Sequence, residues 1–582
     1  MTTNSHDYLP ASFSLQAHTK EGPLGQIAND ELINHSSRLE EKLWTVASDI
    51  WCLVGNGLSN QTFIEGPDGL IIIDTGECQE EMAAALSTIR QVTKKPIAAI
   101  IYSHFHYVSG TQAIFADGSQ SEIPIWGHAR ITENLRSYGT ELSAVASRGL
   151  IHQFGISLPK DGPDAVVNAG LGMSYRNSNH APFTPGFIEP NETFTKPIQT
   201  TIAGLLVEMT PSPSDADDSI TIWFPELKLC VNNLVWPALF NVFAIRGEEY
   251  RDPRILLEGL DHILSLKPDI LVGTHGPPIQ GEETITSEVT RYRDRIQFLW
   301  DQSVRGINKG LTSDELTEFV QLPTDLHETY ITKQFYGVAE HHVRQIYAGL
   351  RGWFDGNPVN LFPDQPKSRA EKIIEGFGGI ERTRELAIEA IRNNDLRWAI
   401  ELCHLLVQLT PEKDESANPT PNPDSQLLAD CLRLIAQKTM ASNIRNWCLT
   451  QALALEGKID LSRHRKHRFS KTVTLSNPPE TTVHALKVLL IPEAANGYTA
   501  EMRWEFEKGQ RTGLKIRNNV AIPTNGEEAN LSISLSLEHW AEILSGNLNL
   551  SDGLASNLLK SNSSKKDLLA FFANFDHRPL NQ

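Results

Sequence analysis

The chain has 582 residues, enough for about four domains at a rough 150 residues each. Its 40% apolar content can build several cores, and its net charge of -19 excludes a general nucleic-acid-binding surface. No apolar run is long enough to span a bilayer and Met1 to Gly22 lacks an apolar h-region, so no integral membrane segment and no signal peptide are expected.

From about Leu43 to Pro363, short β-branched strands alternate with helical segments. Gly55 to Asn60 reads as a turn between strands. Gly69-Leu70-Ile71-Ile72-Ile73 reads as a buried strand that ends at the turn Asp74-Thr75-Gly76. Glu80 to Val92 has helical apolar spacing. Ile97 to Tyr102 is a second strand, and it runs straight into Ser103-His104-Phe105-His106. Ile220 to Pro225 and Leu229 to Val231 form a strand pair, and Asp269 to Gly273 is another strand leading into Thr274-His275-Gly276. Glu283 to Val304 is a long helix of mixed charge. Two sheets covered by helices, an α/β fold, account for this order.

A Pro-rich linker, Asn360 to Pro366, separates this section from a helical one, Ala370 to Gly457. Breaks are expected at Gly376, Gly378 and Gly379, and across Pro411 to Pro423. Ala399, Ile400, Cys403, Leu405, Leu406 and Leu409 make an apolar stripe suited to a neighbouring helix. The basic stretch Arg463 to Arg468 reads as a solvated linker. Beyond it, Lys471 to Leu537 reads as strand-rich, and His539 to Asn547 and Lys566 to Ala573 as helical, giving a small α+β domain. The cysteines Cys52, Cys78, Cys230, Cys403, Cys431 and Cys448 are scattered with no Cys-x-x-Cys, which fits buried apolar residues in a reducing, cytoplasmic compartment.

Strand, turn, helix, strand and then His-x-His resembles the opening of a metallo-β-lactamase active site. Within that superfamily the chain resembles the alkylsulfatases of the sodium dodecyl sulfate hydrolase type, over nearly its whole length. The motifs that carry the resemblance are Leu58 to Gly66, Ala169-Gly170-Leu171-Gly172, Asn241 to Gly247 with Arg251-Asp252, and Gly352 to Pro358. The resemblance implies an αββα sandwich at 41–363 behind an extension at 1–40. It further implies a helical dimerisation domain at 364–462 and a sterol-carrier-like α+β domain at 463–582, hence a homodimer.

The family pattern His-x-His-x-Asp-His is only half present, since Val108 and Ser109 hold its last two ligand positions. His104 and His106 remain as imidazole ligands at a strand end. By resemblance Asp215 is the carboxylate ligand, although Asp217 and Asp218 share its loop. Asn233 falls where a bridging Glu is expected, and an amide is the weaker ligand. His275 is the surviving second-site histidine. Arg246 matches the sulfate-binding arginine with Asn241 beside it, and a planar fork of donors suits an oxyanion. His341 matches the proposed general acid. The family's His-x-x-His before Asn241 is replaced by Pro237 and Phe240.

The expectation is a metal-dependent hydrolase of alkyl sulfate esters or similar small amphiphiles, with one zinc per chain and iron as the alternative. Two other readings stay open: a mononuclear non-haem iron oxygenase on the same fold, since two histidines and a carboxylate also suit iron, and a non-catalytic protein that binds lipid or alkyl chains.

Overall fold

A computed structural model describes residues 17–116, 122–137, 141–248, 250–320, 328–409, 422–465 and 467–581. Most of the leader Met1 to Gly22, the expected break at Pro411 to Pro423 up to residue 421, and Lys466 of the basic stretch lie outside the described residues.

An antiparallel pair, β1 (Thr19–Glu21) and β2 (Ile27–Asn29), precedes the first large sheet. That sheet has seven strands in sequential order: β3 (Lys42–Ala47), β4 (Ile50–Val54), β5 (Gln61–Gly66), β6 (Gly69–Ile73), β7 (Ile97–Ile101), β8 (Ile125–His128) and β9 (Glu192–Phe194). β3 to β6 are antiparallel, as their short connections require. β6 to β9 are parallel, with helix Gln79–Ile89 crossing between β6 and β7. The second sheet has six strands, also in order: β10 (Ile198–Ile202), β11 (Leu205–Pro211), β12 (Ile220–Phe224), β13 (Leu229–Asn232), β14 (Ile270–Gly273) and β15 (Ile279–Gln280). Its one parallel pair, β13 and β14, is bridged by helix Pro253–Leu266.

The two sheets share one core. Ile64, Ile71, Ile73 and Ile101 of the first pack with Val207, Met209, Ile222 and Val231 of the second. Alternation sends Leu70, Ile72 and Ile100 to the opposite face, also buried. The second sheet packs on helices Pro253–Leu266, Glu282–Asn308 and Ala339–Arg351 through residues such as Leu260, Tyr292, Ile296 and Ile346. These layers are the expected αββα sandwich.

Among the described residues five helices follow: Pro366–Phe377, Ile380–Arg392, Leu396–Gln408, Pro423–Lys438 and Ser442–Leu455. The first break falls at Gly378 and Gly379, both at φ of 100°, where a side chain would be strained, while Gly376 stays helical. Small residues, Ala387, Ala390, Ala399, Cys403, Ala429, Cys431 and Ala452, let these helices approach closely. Sandwich and helices form one compact unit, Met1–Thr132 with Gly149–Ser462.

A second unit comprises Glu133–Arg148 and Arg463–Gln582. The strand-rich reading of Lys471 to Leu537 needs correction at its start. Lys471–Ser476 and Pro479–Ala485 are helices, and strands begin only at Ala500. Ser470 caps the first and Pro479 opens the second, two local signals that outweigh the β-branched composition. The sheet there contains β16 (Ala500–Glu505), β17 (Arg511–Arg517), β18 (Val520–Thr524) and β19 (Leu531–Ser534), in the order β18, β17, β16, β19. Trp504, Trp540, Phe571 and Phe572 fill its core. All six cysteines are free. Among the described residues no helix is long and apolar enough to cross a membrane.

Candidate metal centre

Parallel neighbours end on the same side of a sheet, and ligands gather beyond such ends. Asp74 follows β6, Ser103 to His106 follow β7, Asn233 follows β13 and His275 follows β14. Asp215 comes from the loop between β11 and β12.

The structure brings together His104, His106 and Asp215, with one ligand atom of each within 4.8 Å of the others. His104 Nε2 lies 3.8 Å from Asp215 Oδ1 and His106 Nδ1 lies 3.3 Å from Asp215 Oδ2. Of the three acids in that loop, Asp215 meets the histidines, while Asp217 pairs with Arg130.

The tautomer of His104 follows from its neighbours. Ser103 Oγ donates its single proton to Asp74 Oδ2 at 2.6 Å and lies 2.8 Å from His104 Nδ1. With Asp74 ionised, Nδ1 carries the proton and donates to Ser103, which leaves the Nε2 lone pair directed at the cluster. That nitrogen is buried with no hydrogen-bond partner among the described residues. Burial lowers the His104 pKa to about 3, against the pull of Asp215. Burial opposes charge on Asp215, but the imidazolium forms of His104 and His106, with Arg251, outweigh it and hold its carboxyl well below the usual range; with His104 neutral, Arg251 and the Asn233 amide remain to favour the carboxylate. A neutral imidazole with an orphaned lone pair beside an ionised carboxylate is the donor set a divalent metal needs.

Asp74 was legible only as a turn residue. It sits at φ of 61°, accepts from Ser103 N at 2.8 Å as well as from the hydroxyl, and is pushed by burial up to about 7 against those bonds. Asn233, expected by resemblance at a bridging position, holds the Asp215 carboxylate. Its Nδ2 donates to Asp215 Oδ1 at 2.6 Å, and its Oδ1 accepts from Trp236 Nε1 at 3.1 Å.

His275 lies outside this cluster. Its Nδ1 donates to Leu58 O at 2.9 Å, and its Nε2 faces the Tyr107 hydroxyl at 3.4 Å. Burial lowers its pKa to about 4. Val108 is fully buried and bridges to Gly76 through the backbone.

Arg246 lies in the loop from Asn241 to Glu248, and Arg251 lies just before helix Pro253–Leu266. Glu248 pairs with both Arg246 and Arg251. Asn241 Oδ1 accepts from Arg251, whose Nη1 also donates to Asn241 O at 2.9 Å, so the Asn241 amide serves the second arginine. Gly149 lies so close to the Arg246 backbone that a Cβ there would come within 2.3 Å of Arg246 O. His341 stacks edge-on against Phe243 of the same loop, 6.4 Å between ring centroids. Burial lowers its pKa although Glu340 opposes the shift.

Residues 54–107 match the model of the metallo-beta-lactamase superfamily, and residues 312–458 match that of alkyl sulfatase dimerisation. A linear primary-alkylsulfatase from a Pseudomonas species is 31% identical over 88% of this chain and 98% of its own length. This chain belongs to the alkylsulfatase family of the metallo-β-lactamase superfamily. An (R)-specific secondary-alkylsulfatase from Pseudomonas is 27% identical over 92% of this chain and 80% of its own. A solved structure of the stereoselective inverting sec-alkylsulfatase Pisa1 from Pseudomonas has the same fold, with a TM-score of 0.81 at 24% identity over 96% of this chain and 92% of that one. Membership in this fold implies a metal ion, and the His104, His106 and Asp215 cluster is where such an ion fits.

Proposed function

We propose that the protein is a metal-dependent hydrolase of alkyl sulfate esters with a mononuclear site. The observation that carries this reading is the cluster of His104, His106 and Asp215, with its preset tautomer and ionised carboxylate. These three residues would hold the ion, zinc by the nitrogen and oxygen character of the set. When bound there, the ion supplies Lewis acidity and makes water nucleophilic at neutral pH. Val108 and Asn233 supply no second carboxylate and His275 is already engaged, so one ion is proposed.

Arg246, aided by Arg251, orients the sulfate through planar donor forks. Asn241 keeps Arg251 in register. His341, neutral by burial, offers one imidazole N–H to the ester oxygen of the leaving alkyl group. The buried rings of Trp236 and Phe240 exclude water beside the site.

The match to the dimerisation model supports a homodimer, for which light scattering should return twice the chain mass. Exposed Trp353, Val359 and Phe362, between 72% and 83% accessible, are apolar groups such an interface would cover. We place the catalytic part at 41–363, the dimerising part at 364–462 and an alkyl-chain-binding part of sterol-carrier type at 463–582, in a cytoplasmic protein. Neither the oxygenase nor the non-catalytic reading gains support from the relatives, which are named as sulfatases.

The direct test is turnover of a primary and a secondary alkyl sulfate by the purified protein. Alcohol and sulfate should appear in equal amounts, and a chelator should abolish the reaction. A metal-loaded protein that releases no sulfate from either ester would refute the proposal.

A further inference from the structure

The two guanidinium groups beside the metal centre already hold an anion. One oxygen of Glu248 accepts from Arg246 Nη2 and the other from Arg251 Nη2. All three side chains are nearly buried, with 10%, 11% and 5% exposure for Glu248, Arg246 and Arg251. The separation of two carboxylate oxygens is close to that of two oxygens on a sulfate. A substrate sulfate could therefore present the same pair of atoms to the same pair of forks.

The pair adjoins the metal centre through packing. Arg251 Cζ lies 5.8 Å from the centre of the Phe240 ring, Phe240 packs on Trp236 with ring centroids 4.2 Å apart, and Trp236 Nε1 donates to Asn233, which in turn donates to Asp215. Gly247, immediately before Glu248, takes φ of 86°, a conformation open to glycine, and has open space where a side chain would lie. Arg251, by contrast, stays anchored on Asn241 when the carboxylate leaves.

We propose that Glu248 is a resident competitor of the substrate: its carboxylate occupies the Arg246 and Arg251 pair, and the sulfate of an incoming ester must displace it. The inference rests on the alkylsulfatase reading and adds a specificity element to it. Two cations against one internal anion leave a net attraction for a single monoanion, in a protein whose overall charge of -19 would otherwise repel it. Because the resident group is a carboxylate, the pair should also accept medium-chain fatty carboxylates.

The test compares wild type with Glu248→Gln in steady-state hydrolysis of dodecyl sulfate and in calorimetric titration with inorganic sulfate. Release of the competitor should lower KM at least about tenfold, the scale of one charge-assisted hydrogen bond, and tighten sulfate binding in parallel. If Glu248 only aligns the arginines, KM rises and sulfate binds more weakly, and the proposal is overturned. Dodecanoate should inhibit the wild type competitively, which tests the pair without any variant; its failure to compete also overturns the proposal. The sulfate titration needs no turnover. A wild type without sulfatase activity therefore removes the functional reading alone, whereas an active wild type with unchanged constants in Glu248→Gln removes this inference alone.

Discussion

At the scale of single residues, the hydroxyl of Ser103 decides how His104 presents itself. While Asp74 is ionised the hydroxyl proton goes to it, so His104 donates from Nδ1 and exposes Nε2. Ser103→Ala should leave the fold intact and weaken metal binding by about 10–100-fold, the usual cost of losing an outer-shell partner. Competition with a chromogenic chelator measures this, and unchanged affinity would show that the ring is oriented by packing alone. His104 and His106 stood out in the sequence because they follow a strand directly, whereas Asp215 was singled out from Asp217 and Asp218 only by the family resemblance. Ser103 and Asp74 did not, since a serine and a turn aspartate carry no ligand signature until β6 and β7 lie side by side. Glu248 and Arg251 were equally silent in role, because their pairing depends on how the loop from Asn241 folds back.

At the scale of elements, the helical section is tied to the sandwich by a partly buried charge cluster. Arg433 of helix Pro423–Lys438 donates to Asp164 at 2.9 Å and to Glu456 at 3.1 Å. Burial works against charge on Glu456, but Arg433, Gln426 and Lys458 outweigh it and bring its pKa to about 2 from an ordinary 4.5. A carboxyl depressed in the folded state stabilises above its ordinary value, and that contribution fades as pH falls toward the folded one. Glu456→Gln should cost about 1–3 kcal/mol at neutral pH, with a deficit that shrinks below about pH 4.5. Thermal denaturation across pH reads this, and a deficit constant with pH would contradict the assignment. The sequence revealed the strands and helices of the sandwich through their apolar periods. It misled at Lys471 to Ala485, where cap and proline signals are short and the β-branched residues belong to helices. The excursion Glu133–Arg148, which joins the second unit, had no linear signal, since membership in a unit is a matter of distant contacts.

At the scale of the whole molecule, an alkylsulfatase architecture surrounds a metal centre with one ligand set. Both sheets, the covering helices and the helical section follow the family. Within the site, Asn233 acts as a clamp on Asp215, its amide donating to the carboxylate. The central claim is that the protein hydrolyses alkyl sulfates with a single ion. The most direct test is the metal content of purified, active protein by inductively coupled plasma mass spectrometry. The account predicts about one zinc per chain, lost in His104→Ala; about two ions per chain, or sulfatase activity in protein that holds none, would contradict it.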